Sequence, residues 1–185
     1  MKRSEAIAQI LANLGESDLA LFTTGMISRE AFSAKDRDAN FYMIGSMGLL
    51  AAMGLGIALN KPDRRVVVVE GDGSALMSLG TLPLIAHEAP SNFKHIILDN
   101  EAYESTGNQP SISQGRDLAG HAEASGYPVV DRAEDLDTFT NLFKQHYAAS
   151  GPTCLVAKVG GHGSHSIPRI DLDPPDLKER FRAQC

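Results

Sequence analysis

The chain has 185 residues, 43% hydrophobic and 22% charged, the composition of an ordinary globular protein with one sizeable core. Its formal charge of −6 offers no counter-charge to nucleic acid or to an anionic membrane surface, so neither is expected as a partner. Two cysteines, Cys154 in an apolar run and Cys185 at the end, give no disulfide framework and no metal-ligand spacing. They suit a reducing compartment, and a cytoplasmic setting is expected.

The opening MKRSEAIAQILANL starts with charge, but Glu5, Gln9 and Asn13 interrupt any apolar signal core. Ile7, Ile10, Leu11 and Leu14 instead share one face of a helix over 3–14. No run approaches a membrane span. DLALFTTG reads as a short strand ending at Thr23, Thr24 and Gly25, followed by a helix through SREAF. NFYMIGSMG brings a second short apolar run to Gly45, and LLAAMGLGIAL is an apolar helix to Leu59. Its GLGIAL segment is no dinucleotide fingerprint, since it lies inside a helix and before a strand. After the turn KPD come four valines, 66–69, with no polar alternation, the pattern of a strand buried on both faces of a parallel sheet. A helical segment is expected over Leu76–His87, with Pro83 marking a break or restart. KHIILDN is the next strand. EAYESTGNQPSISQG is a polar loop, long for a compact domain and therefore a candidate functional loop. Helix 115–124, strand YPVVD, helix 134–149 and strand TCLVAKV follow, then an irregular tail that is briefly helical. This alternation predicts a three-layer α/β/α parallel sheet with helices on both faces, a single domain over 1–185.

The valine strand runs into Glu70, Gly71, Asp72, Gly73 and Ser74. Asp72 therefore sits at the carboxyl end of a parallel strand, where open α/β sheets bind ligands. A strand-to-helix turn with Asp72 as its N-cap reads the same residues equally well. The next strand ends at Asp99 and Asn100, and a parallel crossover returns it in the same direction. If the two strands are neighbours, Asp72 and Asn100 face one space. A carboxylate, an amide oxygen and a loop carbonyl are too sparse for a calcium cage but suit Mg²⁺ completed by water and ligand phosphates. Gly73 and Ser74, opening the helix, are placed to receive a phosphate.

GDGS followed one strand–helix–strand interval later by DN, with GSMG upstream and NEAY downstream, resembles the thiamine diphosphate-dependent 2-oxoacid decarboxylases. TTGMISRE, GSMG and ESTGNQ resemble the phosphonopyruvate and sulfopyruvate decarboxylase branch, and the chain as a whole is similar to that branch's β subunits. The resemblance implies a thiamine diphosphate-binding fold in which Asp72, the Asn100 side chain and the Ala102 carbonyl bind Mg²⁺. Gly71, Gly73 and Ser74 would meet the diphosphate together with Thr24 and Gly25, and Tyr103 would lie beside it. In GSMG, Gly45, Ser46 and Met47 would hold the aminopyrimidine, with the Met47 side chain wedged under the cofactor to set its bent shape. An ordinary core methionine is the alternative. Asp99 departs from the family's first Asn, while the ligating second Asn is kept as Asn100. Thr106 stands at the position where pyruvate decarboxylases carry a catalytic glutamate, and Glu104 nearby is as apt to face solvent. The family's activating glutamate belongs to a pyrimidine-binding domain, so a separate α subunit is implied as partner, along with a small anionic 2-oxoacid substrate. Without that partner the chain is expected to be inactive, to self-associate as a homo-oligomer and to expose apolar surface around GSMG, Met26 and the 101–109 loop.

His162 and His165 in GGHGSHS lack a third metal ligand and read better, with Arg169, as donors to the substrate anion. His87, His95, His121 and His146 belong to no constellation and are expected at the surface or at strand ends.

Overall fold

A computed structural model describes residues 1–160 and 167–185. In chain order the elements are α1 (Arg3–Asn13), β1 (Leu19–Phe22), α2 (Met26–Ala34), β2 (Asn40–Tyr42), α3 (Leu50–Asn60), β3 (Val66–Gly71), α4 (Asp72–Met77), α5 (Thr81–Glu88), β4 (Phe93–Asp99), β5 (Ala102–Tyr103), β6 (Gln109–Pro110), α6 (Leu118–Ser125), β7 (Val129–Ala133), α7 (Leu136–Ala148), β8 (Thr153–Lys158) and α8 (Pro174–Arg182). Six strands form one parallel sheet in the order β2-β1-β3-β4-β8-β7. None of the described helices is long and apolar enough to cross a membrane.

The valine strand is buried on both faces, as its unbroken apolar run predicts. Val66 and Val68 pack with Leu50, Leu55, Ile85 and Leu118 beneath α3, α5 and α6. Val67 and Val69 pack with Ile7, Ile10, Ile27 and Phe139 beneath α1, α2 and α7. The α3 layer sits close because Gly54 faces the sheet, where a Cβ would come within 2.4 Å of Val68 Cγ2. A side chain there would push the helix off the strand. At the exposed edge, α8 covers β2, with Phe181 and Phe41 ring centroids 5.3 Å apart and Arg180 paired to Asp36.

Several expectations shift. The helix after the valine strand begins at Asp72 rather than Leu76 and breaks at residues 78–80, ahead of Pro83. Pro83 lies in the first turn of α5, where a missing N–H costs nothing. Gly71, not Asp72, occupies the N-cap position of α4. The 101–110 loop is partly ordered as the antiparallel hairpin β5–β6. His95 and His146 are not surface residues: both are fully buried. The imidazole of His95 lies 2.7 Å from Glu70 Oε1 and that of His146 lies 2.9 Å from Asp131 Oδ2. Burial pushes the His146 pKa down despite that aspartate. His162 and His165 lie outside the described residues, and Arg169 is exposed.

Candidate active site

The chain leaves β1 toward the α2 face of the sheet and leaves β3 toward the α4–α5 face. A crevice therefore opens between the carboxyl ends of these two neighbouring strands. β3 and β4 are also neighbours, with Gly71 opposite Leu98, which brings Asp72 and Asn100 to the same edge. The resulting cleft, of about 110 Å³, is lined by Thr24, Met47, Asp72, Gly73, Asn100 and Tyr103, among others. Gly71, Ser74, Ala102 and Thr106 also line it. Gly25 and Ser46 sit just outside, each with a positive φ (86° and 57°) that sharpens the turn carrying its neighbour into the cleft.

Asp72 is only 2% exposed and Asp99 1%. Ser113 Oγ stands between them, 2.9 Å from Asp72 Oδ2 and 2.9 Å from Asp99 Oδ1. One hydroxyl has one proton, so it cannot fully serve both carboxylates. Asp99 has the Glu101 N–H at 3.0 Å and the Lys158 ammonium at 2.7 Å, whereas Asp72 has Ser111 and the Gly73 N–H besides Ser113 and, among the described residues, no cation. Burial pushes the Asp72 carboxyl up, and the neighbouring Asp99 charge pushes the same way. Asn100 Oδ1 accepts the Ala102 N–H at 3.2 Å and keeps a second lone pair. Among the described residues no group of three or more His, Cys, Asp or Glu side chains converges on a metal position. A cation here would be held by one carboxylate, amide and carbonyl oxygens, and oxygens of its ligand, a set that fits Mg²⁺.

Gly73 is the glycine this cleft cannot lose. A Cβ there would lie 2.6 Å from Tyr103 Cε1 and 2.9 Å from Met47 Cε, so only bare backbone fits beneath those two side chains. At Gly71 a Cβ would make only an ordinary contact, 3.6 Å from Ile27 Cδ1. The first N–H groups of α4 have no carbonyl partner within the helix, and the residues that carry them line this opening. Met47 is 37% exposed, with its methyl reaching over Gly73, which is a cleft position rather than a core one. Its loop turns at Gly48, φ 91°, where a Cβ would meet Met77 Cβ at 2.9 Å. Beside it Ile44, Leu49 and Met77 are exposed, an apolar rim around the 45–48 loop, while Met26 is half-buried in the cleft wall.

Thr106 is exposed at the rim, its hydroxyl 2.8 Å from Gln109 Oε1 within the hairpin. Glu104 does not face solvent: it pairs with Arg3, and Asn100 Nδ2 lies 3.4 Å from the same oxygen. Arg3 also forks onto Glu30 at 2.9 and 2.8 Å. Among the described residues lining the cleft Arg3 is the only cation, and the two glutamates hold its pKa up against the cost of burial. Arg3, Glu30, Ser113 and Lys158 carry no local signal that singles them out; only the fold brings them here.

A family model for the thiamine pyrophosphate enzymes' C-terminal TPP-binding domain matches residues 24–157. The chain is 42% identical over 180 residues to phosphonopyruvate decarboxylase of Streptomyces hygroscopicus, covering 97% of this chain and 45% of that one. It thus spans about half the length of that relative. Sulfopyruvate decarboxylase subunit beta of Methanothermobacter thermautotrophicus is 41% identical over 181 residues, covering 98% and 94%. Among solved structures, a thiamine diphosphate-dependent 4-hydroxybenzoylformate decarboxylase of Rhodococcus jostii superposes with a TM-score of 0.74 at 23% identity, over 89% of this chain and 33% of that one. That likeness shows the fold. With the family model matching most of its length and relatives matching nearly all of it, the chain belongs to the thiamine pyrophosphate enzymes, as a C-terminal TPP-binding domain of that family.

Proposed function

We propose that the chain is the diphosphate-binding β subunit of a thiamine diphosphate- and Mg²⁺-dependent 2-oxoacid decarboxylase, acting on 3-sulfopyruvate to give sulfoacetaldehyde and CO₂. The observation that carries this reading is the buried Asp72 carboxylate, held by neutral donors alone among the described residues, beside Asn100 in the cleft at the carboxyl ends of β1, β3 and β4. Bound thiamine diphosphate would supply the electron sink for the pair released with CO₂. Asp72, the Asn100 amide oxygen and the Ala102 carbonyl would hold Mg²⁺ against the diphosphate. The N–H groups of Gly73 and Ser74, flanked by Gly71, Thr24 and Gly25, would receive diphosphate oxygens. Gly45, Ser46 and Met47 would hold the aminopyrimidine end, with Met47 setting its angle. Tyr103, packed over Gly73, would keep water from the diphosphate.

The partner in this reading is an α subunit bearing the pyrimidine-binding domain and its activating glutamate. The apolar rim of Ile44, Leu49 and Met77 supports a protein neighbour there, as do relatives named as β subunits that match along nearly their whole length. Two free cysteines support a cytoplasmic setting. A CO₂-release assay tests the proposal: the homogeneous chain with Mg²⁺, thiamine diphosphate and sulfopyruvate should be inactive, and adding a pyrimidine-domain subunit should restore turnover. Robust turnover by the single chain would overturn the divided site. The 42% identity to a phosphonopyruvate decarboxylase favours phosphonopyruvate as the second substrate, and kcat/KM for the two acids decides between them.

A further inference from the structure

Beneath the cleft lies a polar chain that the proposed chemistry does not use. Glu70, on β3 two residues before Asp72, points the other way, into the core under α3, α5 and α6, and is fully buried. Its Oε1 lies 2.7 Å from His95 Nε2, and His95 Nδ1 lies 3.3 Å from the Tyr127 hydroxyl. Its Oε2 lies 2.5 Å from Ser74 Oγ. Ser74 Oγ in turn receives the Gly48 N–H at 3.2 Å and the Thr23 hydroxyl at 3.3 Å.

With Glu70 ionised and His95 neutral, the protons in this chain run in one direction. Tyr127 O–H donates to Nδ1, which leaves the His95 proton on Nε2, where it is donated to Glu70. A carboxylate can only accept, so the single Ser74 proton also goes to Glu70. The two lone pairs of Ser74 Oγ are then taken by Gly48 and Thr23. The hydroxyl is saturated, with no proton left for a phosphate oxygen. What it does instead is join the start of α4 to the 45–48 loop, the two segments meant to grip opposite ends of the cofactor.

We infer that the Ser74 side chain is a strut, not a diphosphate ligand: anchored by Glu70 and His95, it fixes the 45–48 loop against the diphosphate helix. This rests on the proposed cofactor reading and makes Glu70, His95 and Ser74 Oγ positioning groups. Only the backbone N–H of Ser74 remains for the diphosphate. A charge-assisted buried hydrogen bond of this kind holds its partner tightly, and its loss frees the loop.

The test compares two ligands, thiamine diphosphate and inorganic pyrophosphate, each titrated with Mg²⁺ by calorimetry into the full chain reconstituted with its pyrimidine-domain subunit. Amide exchange is followed alongside at Gly48. Ser74→Ala should accelerate Gly48 exchange at least about tenfold and weaken thiamine diphosphate about tenfold, while pyrophosphate stays within about twofold. Glu70→Gln, at a residue that touches no cofactor atom, should reproduce the split, and the double variant should be no worse than either single one. Parallel weakening of both ligands by Ser74→Ala with no effect of Glu70→Gln would overturn the strut and restore the hydroxyl as a phosphate ligand. So would unchanged exchange at Gly48. If the wild-type complex bound neither ligand, the cofactor reading would fail, and Gly48 exchange would still judge the strut by itself.

Discussion

Two aspartates at opposite ends of the same sheet are equally buried, each 2% exposed, and are treated in opposite ways. Asp18, just before β1, receives the Gly15 N–H at 2.7 Å, the Tyr147 hydroxyl at 2.5 Å and the Arg65 guanidinium at 3.0 Å. Arg65 is itself stacked 3.7 Å over the Tyr147 ring. Around it Asn92 donates to the carbonyls of Lys61 and Arg64, and Lys94 to those of Ala149 and Gly151. Asp72, at the carboxyl end, has Ser113, shared with Asp99, then Ser111 and the Gly73 N–H, and no cation among the described residues. Cavity size does not separate the two ends: the void at the amino end is the larger, about 220 Å³ against 110 Å³. Charge pairing does. One end gives its buried carboxylate an arginine from the same chain, while the other, among the described residues, gives its own only neutral donors.

The largest effect expected from this contrast is at Asp72. Asp72→Ala should lower Mg²⁺-dependent thiamine diphosphate affinity by about 100-fold or more, with the urea midpoint unchanged or raised, because a poorly compensated buried charge is removed. Calorimetry and urea unfolding on the same sample check both halves, and retained affinity would break the contrast. Met47 sharpens it on the ligand side. Met47→Leu should keep turnover of the reconstituted enzyme within about threefold, whereas Met47→Gly should lose about tenfold or more in kcat. Full turnover by the glycine variant would make the residue mere packing.

Much of the carboxyl end was legible because a run of residues carries it: VVVVEGDGS and KHIILDN fix two strand directions, and parallel crossovers then force Asp72 and Asn100 to one edge. The hydrogen-bond partners were not legible. Glu104 meets Arg3 across 101 positions and Ser113 meets Asp72 across 41, separations at which no periodicity operates. His95 was misplaced for a related reason: in KHIILDN it reads as a polar interruption near a strand start, and only the neighbouring strand reveals Glu70, two positions along from its register partner Val68. The start of α4 was misjudged because glycines in GDGS argue for a turn, while Gly73 is demanded by Tyr103 and Met47 above it.

At the amino end the expected effect moves from affinity to stability. Asp18→Ala should destabilise the fold by about 2–3 kcal/mol in urea unfolding and leave cofactor affinity intact, since three donors lose their acceptor. Loss of affinity there would show that the two ends are coupled. The smallest effect concerns Lys94. Burial, with Arg65 nearby, lowers its pKa to about 8. Between pH 8 and 10 the unfolded chain then binds more protons than the folded one, so stability should rise with pH across that window. Urea midpoints at pH 8 and pH 10 should show this rise in the wild type and not in Lys94→Met.

Arg3 sits in the first turn of α1 yet closes the cleft by gripping Glu30 and Glu104, and Gly160 N–H binds the Met1 carbonyl at 2.9 Å nearby. The buried charge of α1 is thus fully answered only when a residue 101 positions later is in place. Until β4 and the hairpin behind it are in place, Arg3 has only one of its two glutamates. Contacts of such long sequence separation close late in folding. The valine strand can assemble early from neighbouring crossovers, and by this measure the wall of the cleft is completed after it.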